Sequence, residues 1–258
     1  MRHIPKSILE ARVPTLYKNA YMQVGVDIST ELLEVKPVAH YSMGGIYAPF
    51  TCSELKGLFV CGEAAAIGVH GANRLGGNSL LEGAVFGELA GLKAKEYAQN
   101  KEFLPIDYSA VIKNMQLVDR IFEGECTKNF NAMRISVGKI MFTKAGIFRN
   151  EATLQEAFDY MKYLRQESNT LHCIDKSKNN NVELISILEL RNALELSEAI
   201  ILSAMHRKES RGAHHREDFP EISKEGNRHV LIRELQKGFF KVAYEENLFT
   251  RWPKKILT

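Results

Sequence analysis

Between residues 109 and 210, apolar side chains return every three or four positions, and the segments 109–130, 131–145, 151–168 and 182–210 each read as a helix with one apolar stripe. Leu184, Leu188, Leu194 and Ile201 mark that stripe in the last segment, and polar breaks such as "SKNNN" separate the helices. Upstream the spacing changes. Residues 6–23 predict a short helix interrupted at Pro14 and resumed from Leu16 to Met22. Val35 to Tyr41 has the β-branched, partly alternating character of a strand, and Gly44-Gly45 punctuates the chain after it. In "KGLFVCGEAAA", Leu58 to Cys61 predict a buried strand that stops at Gly62 and runs into small residues. A helix over 79–97 follows, with Asn78 or Ser79 as its N-cap. Gly83, Gly87 and Gly91 fall four apart in it, while Glu82, Glu88, Lys93 and Lys95 exclude a lipid-spanning segment, so the spacing predicts a helix pressed closely on a sheet. A charged run, "HRKESRGAHHREDFP", is expected to close the last helix near Gly212. Residues 221–258, with Pro253, form a mixed tail. The expected fold is thus an α/β portion, then an α-helical bundle, then a small mixed C-terminal tail.

Composition narrows the classes. With 45% hydrophobic and 25% charged residues in 258, the chain is neither disordered nor fibrous, and it is long enough to bury a core. A net charge of +3, evenly scattered, gives no footprint for nucleic acid. Cys52, Cys61, Cys126 and Cys173 contain no CxxC and no histidine partner at metal-ligand spacing, so neither zinc nor an iron–sulfur cluster is expected on this chain, and scattered thiols suit a reducing compartment. The apolar patch Ala64 to Val69 is bounded by Glu63 and His70 and is far too short to cross a bilayer; no transmembrane segment is expected. "MRHIPKSILEARVP" lacks a signal-peptide apolar region and opens on a helix pattern with little upstream to pack against, which points to a preceding part.

Four places hold candidate chemistry. Glu63 follows a strand and a glycine, where an ionised carboxylate can accept two ribose hydrogen bonds; an exposed turn glutamate has the same pattern. At "LGGNSLLE" glycines remove bulk where the unpaired amides of a helix start point outward, a place for phosphate, carboxylate or a reduced flavin ring, or simply a tight turn. Arg74, among small residues in "HGANRLGGNSLLE", can fork onto a carboxylate, and His40 is a second donor for an anion; either is equally compatible with a structural pairing. His206, Arg207, Glu209, Arg211, His214, His215 and Arg216 interleave charge signs, which favours a salt-bridge network at a helix end over a metal site, with a subunit interface as the sharper alternative.

"HYSMGGI" (40–46), "GLFVCGEAA" (57–65), "HGANRLGGNSLLE" (70–82) and "RKESRGAHHREDFP" (207–220), in this order and spacing, closely resemble the flavoprotein subunit of succinate dehydrogenase and fumarate reductase. The resemblance spans nearly the whole chain and corresponds to the C-terminal portion of that family. It implies a remnant of a capping domain over 1–30, the C-terminal part of an FAD-binding domain over 31–104, a helical domain over 105–212 and a tail domain over 213–258. It further implies that His40 and Arg74 bind a substrate carboxylate and that Glu63 binds the ribose of FAD. The amides of Ser79 and Leu80, with Asn78, would meet the flavin ring, and Gly44 and Gly45 would let backbone lie against it. The family's GxGxxG, its FAD-linking histidine and its proton-donor arginine have no counterpart here, so no catalytic residue is assigned, and neither Arg2 nor Arg12 takes the arginine's role.

The implied activity is hydride transfer between FAD and fumarate or succinate. Its implied partners are an iron–sulfur subunit and a quinone-reactive membrane anchor subunit, which hold the flavoprotein on the bacterial inner membrane, on its cytoplasmic face or alternatively its periplasmic one. L-aspartate oxidase shares the "ESRG" motif, but Met43, Leu75-Gly76 and "AHHRED" favour the dicarboxylate enzyme. An inert interaction fragment is the non-enzymatic alternative.

Overall fold

The computed structural model describes residues 1–99, 101–236 and 239–246. The chain divides into two compact units, Met1–Ser42 and Met43–Thr258.

In the first unit, helices α1 (Lys6–Arg12) and α2 (Pro14–Val24) meet at the expected proline, which stands at the first position of α2 where its missing N–H costs nothing. Leu9, Ala20 and Ile28 form the buried cluster between them. Asp27 ties the end of this unit together. It accepts from the Ser29 hydroxyl at 2.5 Å and the Ser29 amide at 3.0 Å, and also from the Tyr17 hydroxyl at 3.0 Å. Those bonds, the Ser29 pair first, hold its carboxyl down at about 2. The strand expected over Val35–Tyr41 does not form: residues 32–42 have no regular structure. A strand exists only where a neighbour takes its N–H and C=O groups, and among the described residues this stretch has no ladder partner.

The second unit opens with a two-residue parallel pair, β1 (Ile46–Tyr47) beside β2 (Ala65–Ala66). Between them, Leu58–Cys61 is not the buried sheet strand that its composition suggests. The chain doubles back, with Ser53 N donating to Leu58 O at 3.2 Å and Val60 N to Thr51 O at 3.0 Å, leaving a single bridge between Cys52 and Phe59. Ala48, Val60, Ala65 and Ile67 form the core here, with Val69 and Phe86 packed on it.

Helix α3 (Asn78–Gln99) rests on the 3-10 turns Pro49–Thr51 and Gly62–Ala64, not on a sheet. Of its three spaced glycines, Gly87 alone faces a neighbour, the Cys61 thiol, while Gly83 and Gly91 face open space.

Four helices follow: α4 (Ser109–Glu123), α5 (Phe130–Lys144), α6 (Glu151–Glu167) and α7 (Val182–His206). Gly124 stops α4 well before residue 130, and Asn129 caps α5 by accepting from the amides of Asn131 and Ala132. Asn150 and Thr153 make a reciprocal capping box at α6, and Asn181 accepts from Leu184 N at α7. Leu154, Met161, Ile187, Leu194 and Ile201 are fully buried where α6 and α7 face each other, and Met133, Val137 and Ile121 join them from α5 and α4. The periodicity that predicted these helices is therefore the pattern of this core.

The last helix ends at His206, short of Gly212, because the following residues turn back. There β4 (His215–Arg216) pairs in parallel with β3 (Phe148–Arg149). The tail resolves into an antiparallel hairpin, β5 (Arg228–Gln236) and β6 (Phe239–Glu246). Arg165, buried on α6, bonds to Glu198 and Glu195 of α7 and to Glu234 of β5, which joins hairpin to bundle. Pro253 lies outside the described residues. Helix dominates, and the described sheets are three pairs of strands, so the α/β portion holds far less sheet than its sequence pattern suggests: strands of two residues cannot build a layer.

Candidate active site

The loop from β2 to α3 presents Arg74. Its side chain is half-buried, and Nη1 donates to the Leu75 carbonyl at 3.1 Å. Gly76 and Gly77 after it have open space where a Cβ would stand among the described residues, so no side chain of the loop itself crowds the start of α3. The Ser79 amide makes no hydrogen bond among the described residues, whereas Leu80 N already donates to Gly77 O at 3.2 Å. Asn78 is the first residue of the helix and not its cap.

Its side-chain amide turns back to His70, 2.9 Å from Nδ1, and lies 3.5 Å from the Val69 carbonyl. On the other side of the ring, His70 Nε2 stands 2.7 Å from Glu82 Oε2. Both side chains are sealed from water, at 5% and 1% exposed. The Asn78 nitrogen is assigned as NH₂ by its contact with the Val69 carbonyl; it can only donate, so Nδ1 accepts and the ring proton sits on Nε2, facing Glu82.

A second set of residues reaches this loop from the far end of the unit. Ala213 N donates to Ala72 O at 3.0 Å, and Gly212, at φ 58°, sits so close to Ala72 that a Cβ would collide with its carbonyl. The segment around them is pinned in turn. His214 accepts from Arg149 Nη1 at 2.9 Å through Nδ1 and donates from Nε2 to Arg207 O at 2.9 Å. Burial pushes its pKa down to about 4, and the neighbouring arginines push the same way. Glu209 is 1% exposed and receives Arg207, Arg211 and the Ser223 amide. Burial alone would raise its pKa, but hydrogen bonds from Arg211, Ser223 N and Arg207 hold it below the usual range.

Arg216 is completely buried. It forks onto Asp218 at 2.7 Å twice, reaches Glu151 at 2.8 Å and donates to the Ala204 and Met205 carbonyls at the end of α7. The salt-bridge reading of the 206–216 cluster is what these contacts show.

The remaining sequence candidates take these places. Glu63 is exposed in the turn Gly62–Ala64. Gly44 is open, while Gly45 lies against the Ala64 carbonyl, where no side chain would fit. His40 is exposed and belongs to the first unit. His70, Glu82 and Ala72 were not singled out by sequence reasoning, yet one signal was available: Asn78 and Glu82 are four apart on a helix, so both face the same way. Among the described residues no group of three or more His, Cys, Asp or Glu is placed to hold a metal, and no helix is long and apolar enough to cross a membrane.

Residues 134–256 match the model of the fumarate reductase flavoprotein C-terminal region, and residues 1–80 match the FAD binding domain. The chain is 38% identical over 222 residues to the fumarate reductase flavoprotein subunit of Escherichia coli, covering 84% of this chain and 37% of that one. To the fumarate reductase flavoprotein subunit of Mycobacterium tuberculosis it is 32% identical over 262 residues, covering 98% and 45%. A solved E. coli quinol fumarate reductase flavoprotein superposes with a TM-score of 0.89 at 34% identity, covering 98% of this chain and 44% of that chain. The chain thus spans less than half the length of these relatives. Its matches run through both units, and on them the chain belongs to the flavoprotein family of fumarate reductase and succinate dehydrogenase, corresponding to the C-terminal portion of its members.

Proposed function

We propose that this chain supplies the substrate-arginine part of a flavoprotein that interconverts fumarate and succinate. The observation that supports it most is the Arg74 loop: a forked cation directly before a helix start where Gly76 and Gly77 add no side chain and where, among the described residues, the Ser79 amide makes no hydrogen bond. The residues present fit part of a flavin site, because the small residues before α3 leave room for a planar group at that helix end. FAD, when bound there, takes or gives the hydride.

Arg74 would bind and polarise a substrate carboxylate, and the resemblance of its motif proposes the same role for His40. The Ser79 amide and the start of α3 would stabilise negative charge gathering on the flavin ring, with Asn78, Leu80, Gly44 and Gly45 beside it and Glu63 on the FAD ribose. The division into 1–30, 31–104, 105–212 and 213–258 belongs to this reading. So do an iron–sulfur subunit and a quinone-reactive membrane anchor as electron partners, and a place on the cytoplasmic face of the bacterial inner membrane.

The test is flavin reduction in the flavoprotein that carries this sequence. Succinate should bleach the flavin and aspartate should not; the reverse would move the protein to the aspartate oxidases. Arg74→Lys should leave FAD bound and lower kcat/KM by about a hundredfold, the scale of losing one well-placed donor. Unchanged turnover would remove Arg74 from the site.

A further inference from the structure

We propose that His70 is the positioning residue for Arg74, a neutral ring that locks both ends of the arginine's loop onto α3. The proposal rests on the reading of Arg74 as a carboxylate-binding residue and adds the means by which it is held.

His70 stands where the chain enters the loop, and Asn78 where it leaves. The ring joins them directly, at 2.9 Å through Nδ1, and is fastened one helical turn further on to Glu82, at 2.7 Å through Nε2. Both bonds are shielded from water, so neither is exchanged for solvent at low cost. The middle of the loop is held separately, by Ala213 N on Ala72 O at 3.0 Å. Residues 71–77 contain one charged side chain, Arg74. A segment fixed at entry, middle and exit therefore presents one cation.

Ordering a loop at the moment of binding is subtracted from affinity, and a loop ordered beforehand avoids that loss. The tautomer matters for the same reason. Asn78 can donate only to an unprotonated Nδ1, so an imidazolium, or a ring protonated on Nδ1, would break the exit bond and release the loop.

Three readouts on the flavoprotein that carries this sequence test this. Nitrogen NMR of the His70 ring should show Nδ1 without a proton and Nε2 carrying one, as the contacts to Asn78 and Glu82 require. His70→Ala should speed hydrogen exchange of the 71–77 amides at least about tenfold while amides of α6 and α7 keep their protection. His70→Gln, whose amide can donate to Glu82 and accept from Asn78, should restore it. Succinate titration followed at the Arg74 side-chain N–H should weaken at least about tenfold in His70→Ala and recover in His70→Gln.

If His70→Ala does not fold, Asn78→Ala frees Nδ1 alone and should release the same loop amides. A charged or Nδ1-protonated ring overturns the proposal. So do loop exchange and succinate response in His70→Ala that match the unaltered chain. An unaltered chain that ignores succinate instead refutes the carboxylate reading of Arg74, and the ring and exchange results still decide the clamp.

Discussion

Replacing Arg216 with methionine removes a cation that joins four separate groups inside the helical part of the chain. Its guanidinium makes two bonds to Asp218, one to Glu151 at the start of α6, and two to the carbonyls of Ala204 and Met205 that close α7. Methionine fills comparable volume and satisfies none of them. Removing one partner of a buried ion pair costs about 3–5 kcal/mol. Arg216 has no exposed surface, but Glu151 is 53% and Asp218 29% exposed, so water can take over part of their share and the lower end, about 3 kcal/mol, applies. With a urea dependence of roughly 2 kcal/mol per molar, the unfolding midpoint should fall by about 1.5 M. Arg216→Lys keeps the charge without the fork and should lose less. The Asp218 carboxyl, held down at about 2 chiefly by the Arg216 hydrogen bond, should titrate higher in the methionine variant. A loss under about 1 kcal/mol, no more than an exposed ion pair, would refute this account.

Gly212→Ala should destabilise the chain by about 2 kcal/mol, since a left-handed alanine costs about 1 kcal/mol or more and its Cβ meets the Ala72 carbonyl. Hydrogen exchange should show the Ala213 amide unprotected; full protection would mean the loop tolerates the methyl group. For His214 the folded pKa of about 4 lies below the ordinary 6.5, so between those values the unfolded chain binds the extra proton. Its contribution is complete above pH 6.5 and is lost as the pH falls to 4. That loss amounts to about 2 kcal/mol once screening at a partly exposed ring is allowed for. His214→Gln should flatten urea-measured stability across that window, and an unchanged slope would assign the effect elsewhere.

The helices were legible because their apolar spacing is also their core: Leu184, Leu188, Leu194 and Ile201 line α7 where it faces α6 and its neighbours. The strands were not. Val35–Tyr41 and Leu58–Cys61 have strand-like composition, but a strand is settled by its ladder partner, which a local pattern does not contain. In the site, Arg74 stood out because it is charged among small residues. His70 did not, since its role depends on Asn78 and Glu82 presenting one helix face to it. The hold of Gly212 and Ala213 on Ala72 joins positions far apart in sequence, which no local motif could reveal.

The parallel pairing of Phe148 with His215 has a kinetic meaning. It closes a segment containing the whole of α6 and α7, and the entropy of closing so long a loop is recovered only when those two helices already lie together. The 207–219 turn is therefore expected to depend on the docked helix pair, and its bond to Ala72 closes a longer stretch again. The mid-loop support of Arg74 thus rests on a long-range contact whose closure entropy is offset only by a helical scaffold already in place.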